Sequence, residues 1–183
     1  MWLLRLMPIM MMHMTKRTSE PGLLTSADTA PAPTREFLHG RALAMQARRD
    51  HSCQEIRKKL LELGGEASLV EAILADLLSR RLQSDERFAE VYVRSRAERG
   101  YGPRVIEAEL RSKGLSAELQ EEALSGSGYD WLEQAVLARQ RRFGRSLPAD
   151  IKEKARQARF LQYRGFTGSQ VSQALRCELP DEY

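Results

Sequence analysis

The sequence predicts an all-α fold of tandem three-helix repeats, and three observations carry that expectation. From Arg35 to Tyr183, leucine and alanine supply 37 of 149 residues, whereas valine, isoleucine and threonine together supply 11. Helix formers therefore dominate and strand formers are scarce. No Asn-Gly or Asp-Gly pair offers a hairpin turn. Glycines recur where the apolar stretches end, as helix C-caps require.

The elements follow in order. A first helix is expected over 35–49. Ser52 with Glu55 forms a capping box, each side chain satisfying an orphan backbone N–H, and opens 52–63. Gly64-Gly65 ends it. Ser68 with Glu71 reads as a second capping box, opening 68–81. Ser84, followed by Asp85 and Glu86, places two acids at the positive end of a helix dipole and opens 85–99, which stops at Gly100. Helices over 103–113 and 116–125 stop at Gly114 and Gly126. Asp130 with Glu133 opens 130–143, a helix over 148–164 stops at Gly165, and Thr167 with Gln170 opens 168–177.

Gly64, Gly114 and Gly165 mark an internal repeat. Four residues before them stand Leu60, Leu110 and Leu161; ten residues after them stand Leu74, Leu124 and Leu175. Four positions further upstream are Ile56, Ile106 and then Gln157, where the third copy drifts. A cap follows each glycine: Ser68, Ser116, Thr167. The expected organisation is three modules, 35–82, 83–128 and 129–183. Each is marginal alone, so stacking is expected to give an elongated, curved array. Residues 1–34 read as a leader without fold. The apolar run 1–14 is shorter than the roughly 20 residues a bilayer span takes and lacks a basic region ahead of it. It reads as an extension upstream of a start at Met12 or Met14, and 15–34 as a disordered tail.

Net charge is +4, too small to argue for a polyanion partner, so its distribution matters. Arg94, Arg96, Arg99 and Arg104 face one acid, Glu98. Arg139, Arg141, Arg142 and Arg145 occur with no acid between them, and Lys152, Arg156 and Arg159 recur at helical spacing. These residues suit a cationic groove for phosphates or an acidic protein surface, because the guanidinium fork binds either in two places; a solvated helix face is the plainer alternative. Tyr101, in a glycine-flanked turn beside Arg99 and Arg104, is the candidate exposed contact. Phe88, Tyr92, Trp131, Phe143, Phe160 and Phe166 read as core, and Glu107 and Glu109 as solvated surface.

Nothing points to catalysis. No metal-ligand spacing, phosphate-binding loop or nucleophile elbow is present, and no cofactor is expected. Cys53 and Cys177 form no framework, although a single bridge between them stays open; a reducing cytoplasm is the natural setting.

Three stretches resemble the RecX family: 48–64 (RRDHSCQEIRKKLLELG), 84–115 (SDERFAEVYVRSRAERGYGPRVIEAELRSKGL) and 160–175 (FLQYRGFTGSQVSQAL). The middle one matches most specifically, through Asp85-Glu86, Arg87-Phe88-Ala89, Tyr92-Val93, Gly100-Tyr101-Gly102, Glu109-Leu110 and Lys113-Gly114; Arg164-Gly165-Phe166 matches in the third copy. Ser84 departs from a frequent aspartate but can still cap. The resemblance spans roughly residues 36–178 and leaves the leader without counterpart. It implies tandem three-helix repeats with a basic concave surface and a protein that binds filaments of the recombinase RecA on single-stranded DNA, touching the DNA directly or through RecA, and inhibits strand exchange and ATP hydrolysis; a monomer without enzymatic activity is expected. Two alternatives stay open: a helical nucleic-acid-binding protein acting without RecA, and a helical scaffold for another protein.

Overall fold

Caps and glycines place the helices. The computed structural model describes residues 31–177. The leader 1–30, with the alternative start and most of the tail expected there, and residues 178–183 of the third module lie outside the described residues. Among the described residues the chain is all helical: α1 (Arg35–Gln46), α2 (Cys53–Glu62), α3 (Ala67–Ser79), α4 (Asp85–Glu98), α5 (Pro103–Ser112), α6 (Ala117–Ser125), α7 (Trp131–Phe143), α8 (Ile151–Tyr163) and α9 (Gly168–Ala174). Full capping boxes form at Ser52/Glu55 and Thr167/Gln170. Ser84 caps α4, Ser116 caps α6, and Asp130 accepts from the Leu132 and Glu133 amides. Ser68 does not cap α3. Glu66 does, accepting from the Ser68 amide, so Ser68 lies inside the first turn. Glu66 stands two residues after Gly64, as Ser116 and Thr167 stand two after Gly114 and Gly165, and the repeat is more regular than the serine suggested.

Helices pack chiefly within consecutive triplets: α1–α3, α4–α6 and α7–α9. Each triplet has its own apolar core, centred on Leu60 and Ile73, on Ile106 and Leu110, and on Leu161 and Phe166. Leu60, Leu110 and Leu161 are all fully buried. The carbonyl of each accepts from the amide just past the following glycine, Gly65, Leu115 and Phe166, at 3.0, 3.3 and 3.1 Å. This bond closes a Schellman turn, and the glycines take its left-handed conformation, with φ of 85°, 81° and 91°. Gln157 is buried in the column that Ile56 and Ile106 occupy, and Gln120 in the column of Val70 and Val171. Cys53 and Cys177 are free thiols.

The modules join through one recurring contact: the turn after the second helix of one module sits on the N-terminus of the second helix of the preceding module. At the first junction the buried Ser52 hydroxyl donates to the Lys113 carbonyl at 2.8 Å. At the second, the Gly102 amide donates to the Arg164 carbonyl at 2.8 Å and the Arg104 amide to the Gly165 carbonyl at 3.1 Å. Glycine is sterically required at both positions, and at Gly165 conformationally as well. A Cβ at Gly165 would lie 2.5 Å from the Val105 nitrogen, and one at Gly102 would lie 2.6 Å from the Gly165 carbonyl carbon.

Polar groups complete the first junction. Glu55 receives Lys113 Nζ at 2.7 Å and Arg49 at 3.2 Å. Burial would raise the Glu55 carboxyl, but the hydrogen bonds and charges of Arg49 and Lys113 outweigh it and hold it at about 2. Burial, reinforced by the Asp85 charge, pushes the Cys53 thiol up to about 11. It therefore stays protonated and donates to Gln83 Oε1 at 2.9 Å.

Candidate functional site

The junctions create a surface that no single helix presents. Four hollows run from the first module to the third, and each shares lining residues with the next. The first, along α2, includes Lys58 and Lys59 and shares Arg49 and Lys113 with the second, which lies against α4. The second shares Arg99 with the third, at the junction of α4, α7 and α8. The third shares Arg142 and Phe160 with the fourth, between α7 and α8. Shared lining residues link these hollows in series as a trough.

Charge along the trough is uneven. At the first-module end Asp50, Glu55 and Glu62 line it, and Arg49 and Lys59 pair with Glu55 and Glu62. At the other end Arg99, Arg141, Arg142 and Arg164 line the third hollow, and Arg142 and Arg156 the fourth; no carboxylate lines either among the described residues. Arg141 donates to the Glu98 carbonyl at 2.9 Å and Arg164 to the Arg99 carbonyl at 3.1 Å. Both guanidiniums are thus held on the α4 C-terminus, where the helix dipole favours cations. Phe143 and Phe160 meet edge to face, with centroids 5.3 Å apart. The Arg142 and Arg156 guanidiniums lie over the Phe143 ring at 5.7 and 5.3 Å, and Arg164 over Phe160 at 5.2 Å.

The candidate residues separate sharply on this geometry. Arg99, Arg141, Arg142 and Arg156 come together in the trough, Arg156 while paired with Glu153 at 3.3 Å. Arg96 lines it too, but its guanidinium pairs with Glu109 and donates to the Tyr92 hydroxyl at 3.3 Å, while that hydroxyl donates to Glu109 at 3.0 Å. Glu109 is therefore a partner in a half-buried network rather than solvated surface. Tyr101 is half-buried, with Arg96 and Arg164 over its ring at 4.9 and 4.7 Å, and is no open platform. Arg94 lies in a different hollow beside Glu86, Glu90 and Glu122. Arg104, Arg145, Lys152 and Arg159 are exposed but line none of the four hollows.

Arg139 is the clear correction. It is fully buried and donates to the carbonyls of Ser146, Arg145 and Cys177 at 2.9, 3.3 and 3.3 Å, tying the α7–α8 loop to the end of α9. A buried cation is tolerable only with such hydrogen bonding, and it cannot serve as a surface contact. Phe143 and Phe160, expected in the core, are half-buried and open onto the trough.

Sequence reasoning missed Lys113 and Arg164 as surface residues. Both immediately precede the repeat glycine, and both are basic only where a preceding module exists to receive them; the first module has Leu63 there. That column was the available signal.

Among the described residues no cluster of His, Cys, Asp and Glu could hold a metal ion, and no helix is long and apolar enough to cross a membrane.

Comparison with known proteins places this architecture. The pattern described for the second three-helix domain of RecX matches residues 84–124, and that for the third matches residues 129–175. A regulatory protein RecX of Halorhodospira halophila is 45% identical over 139 residues, covering 76% of this chain and 86% of that protein. One from Pseudomonas syringae pv. tomato is 40% identical over 134 residues, covering 73% and 86%. The crystal structure of RecX from Lactobacillus salivarius superposes with a TM-score of 0.67 at 22% identity, over 78% of this chain and 94% of that one, a likeness of fold. Tandem three-helix modules and substantial identity to regulatory proteins across most of their length agree: the chain belongs to the RecX family.

Proposed function

We propose that this protein restrains the recombinase RecA by lying along its filament on single-stranded DNA, with the trough as the contacting surface. The observation that carries the reading is the run of shared hollows across three modules, cationic and without carboxylates at the third-module end. A filament offers repeated contacts over a long path, and an array of modules meets it with several weak contacts whose effects multiply. Steering by the cationic end speeds the encounter. No step of this reading needs catalysis by the chain.

Titration of purified protein into RecA hydrolysing ATP on single-stranded DNA tests it. Suppression of the ATPase at substoichiometric to near-stoichiometric ratios is expected. Unchanged hydrolysis over a wide range of ratios counts against the reading and leaves DNA binding without RecA as its successor. Native pull-down separates both from a scaffold for another protein.

A further inference from the structure

The middle module keeps open a space that the other two fill. Twelve residues after the repeat glycines stand Asp76, Gly126 and Cys177. In the first module Asp76 pairs with His39 of α1 at 3.0 Å. In the third, the Cys177 carbonyl accepts from Arg139 of α7 at 3.3 Å. Gly126 has no side chain to reach α4, and three residues earlier Ala123 stands where the first module has the larger Ile73. A hollow of about 360 Å³ opens there, floored by the buried Ala89 and Ala123, with Leu119 and Tyr129 half-buried beside them. Glu86, Glu90 and Glu122 are exposed at its rim, and Arg94 is the one base among its lining residues. It shares no lining residue with the trough.

The third module carries a face that fits it. Lys152, Arg159 and Tyr163 recur on α8 at helical spacing, so they form one stripe roughly 16 Å long. All three are exposed, Tyr163 at 85%, and none lines the trough. The one acid of α8, Glu153, is half-buried and pairs with Arg156. We infer that a second copy of this chain docks this stripe in the middle-module hollow. The Tyr163 ring enters over the two alanines, and Arg159, one turn earlier, meets the rim carboxylates together with Lys152. Charge selects a second copy as the occupant: residues 83–128 carry a net charge of −2 and residues 129–183 a net charge of +3, so patches of opposite sign lie on different modules of the same chain. A wholly apolar segment would cover the rim carboxylates without pairing them. Because two different patches meet, the contact is heterologous, and it uses no residue of the trough.

Sedimentation velocity of the full chain, without RecA, tests the contact. At about 0.05 M salt the average mass should rise with protein concentration, and at about 1 M salt it should return to that of one chain. Glu90→Arg and Arg159→Glu alter exposed residues, so both variants should keep the native circular dichroism. Each should weaken association about tenfold or more. Their equimolar mixture should recover one-to-one pairs, because the Arg159→Glu chain keeps the native hollow and the Glu90→Arg chain keeps the native stripe. Tyr163→Ala should weaken association with its salt dependence unaltered. A native chain that stays single at every concentration, association that both charge variants retain, or a mixture that does not pair would overturn the inference. RecA takes no part in these measurements, so their failure leaves the filament reading standing, and an absence of ATPase suppression leaves the self-association standing.

Discussion

At the residue scale, glycine and charged side chains do work that composition does not reveal. Gly165 combines a left-handed φ with a backbone contact that leaves no room for a methyl group, whereas Gly128 has a similar φ of 72° and open space around it. Gly128→Ala should cost roughly 1–2 kcal/mol of conformational energy, and Gly165→Ala roughly 2–4 kcal/mol because overpacking adds to it. Urea midpoints of the two variants check the difference; equal losses would show that the junction does not constrain Gly165. Glu55 provides a pH test. Its carboxyl lies at about 2 in the folded chain, against an ordinary 4.5. Its contribution is therefore present above pH 4.5 and is lost as pH falls toward 2. After screening at this partly open junction the contribution is about 1–2 kcal/mol. Glu55→Gln should be less stable than the native chain at pH 7, with the gap closing near pH 2.5. A gap that does not change with pH would contradict the charged pairing.

At the scale of elements, the glycine-marked repeat was legible because local rules determine it. Helix C-termini need left-handed residues, N-termini need acceptors, and one leucine per module must face inward. The misreadings also have physical causes. Ser68 and Glu66 both offer oxygen two residues apart, and only the turn geometry selects Glu66. Arg139 shares a stretch with exposed arginines, but its helix face turns toward carbonyls of the following loop and of Cys177, 38 residues further on. Gln157 and Gln120 interrupt apolar columns, and their Oε1 atoms meet no donor among the described residues. Gln157→Ile, which restores the residue of the other two modules, should raise stability by about 1 kcal/mol. Leu110→Ala should remove about 2–5 kcal/mol. Thermal denaturation of both variants checks these opposite signs, and a loss on Gln157→Ile would show that the glutamine is held by its bond to Glu153.

At the scale of the molecule, the trough is a property of junctions. Arg141 and Arg164 brace the third module against α4 and also line the trough, so whatever occupies that end touches the groups that set the angle between modules. The candidate surface was only half legible for this reason. Periodicity located the arginine clusters, but which arginines meet across a junction depends on docking that no single helix encodes. Arg94 and Arg142 look alike in sequence, yet one sits among glutamates and the other at the shared wall of two cationic hollows. The proposed function depends on the cationic end of the trough engaging the RecA filament. The direct measurement is the protein concentration needed for half-suppression of RecA's DNA-dependent ATPase, compared for the native chain, Arg142→Glu and Arg94→Glu. A rise of about tenfold is expected for Arg142→Glu and a change within about twofold for Arg94→Glu. Equal rises for both, or no suppression by the native chain, would contradict it.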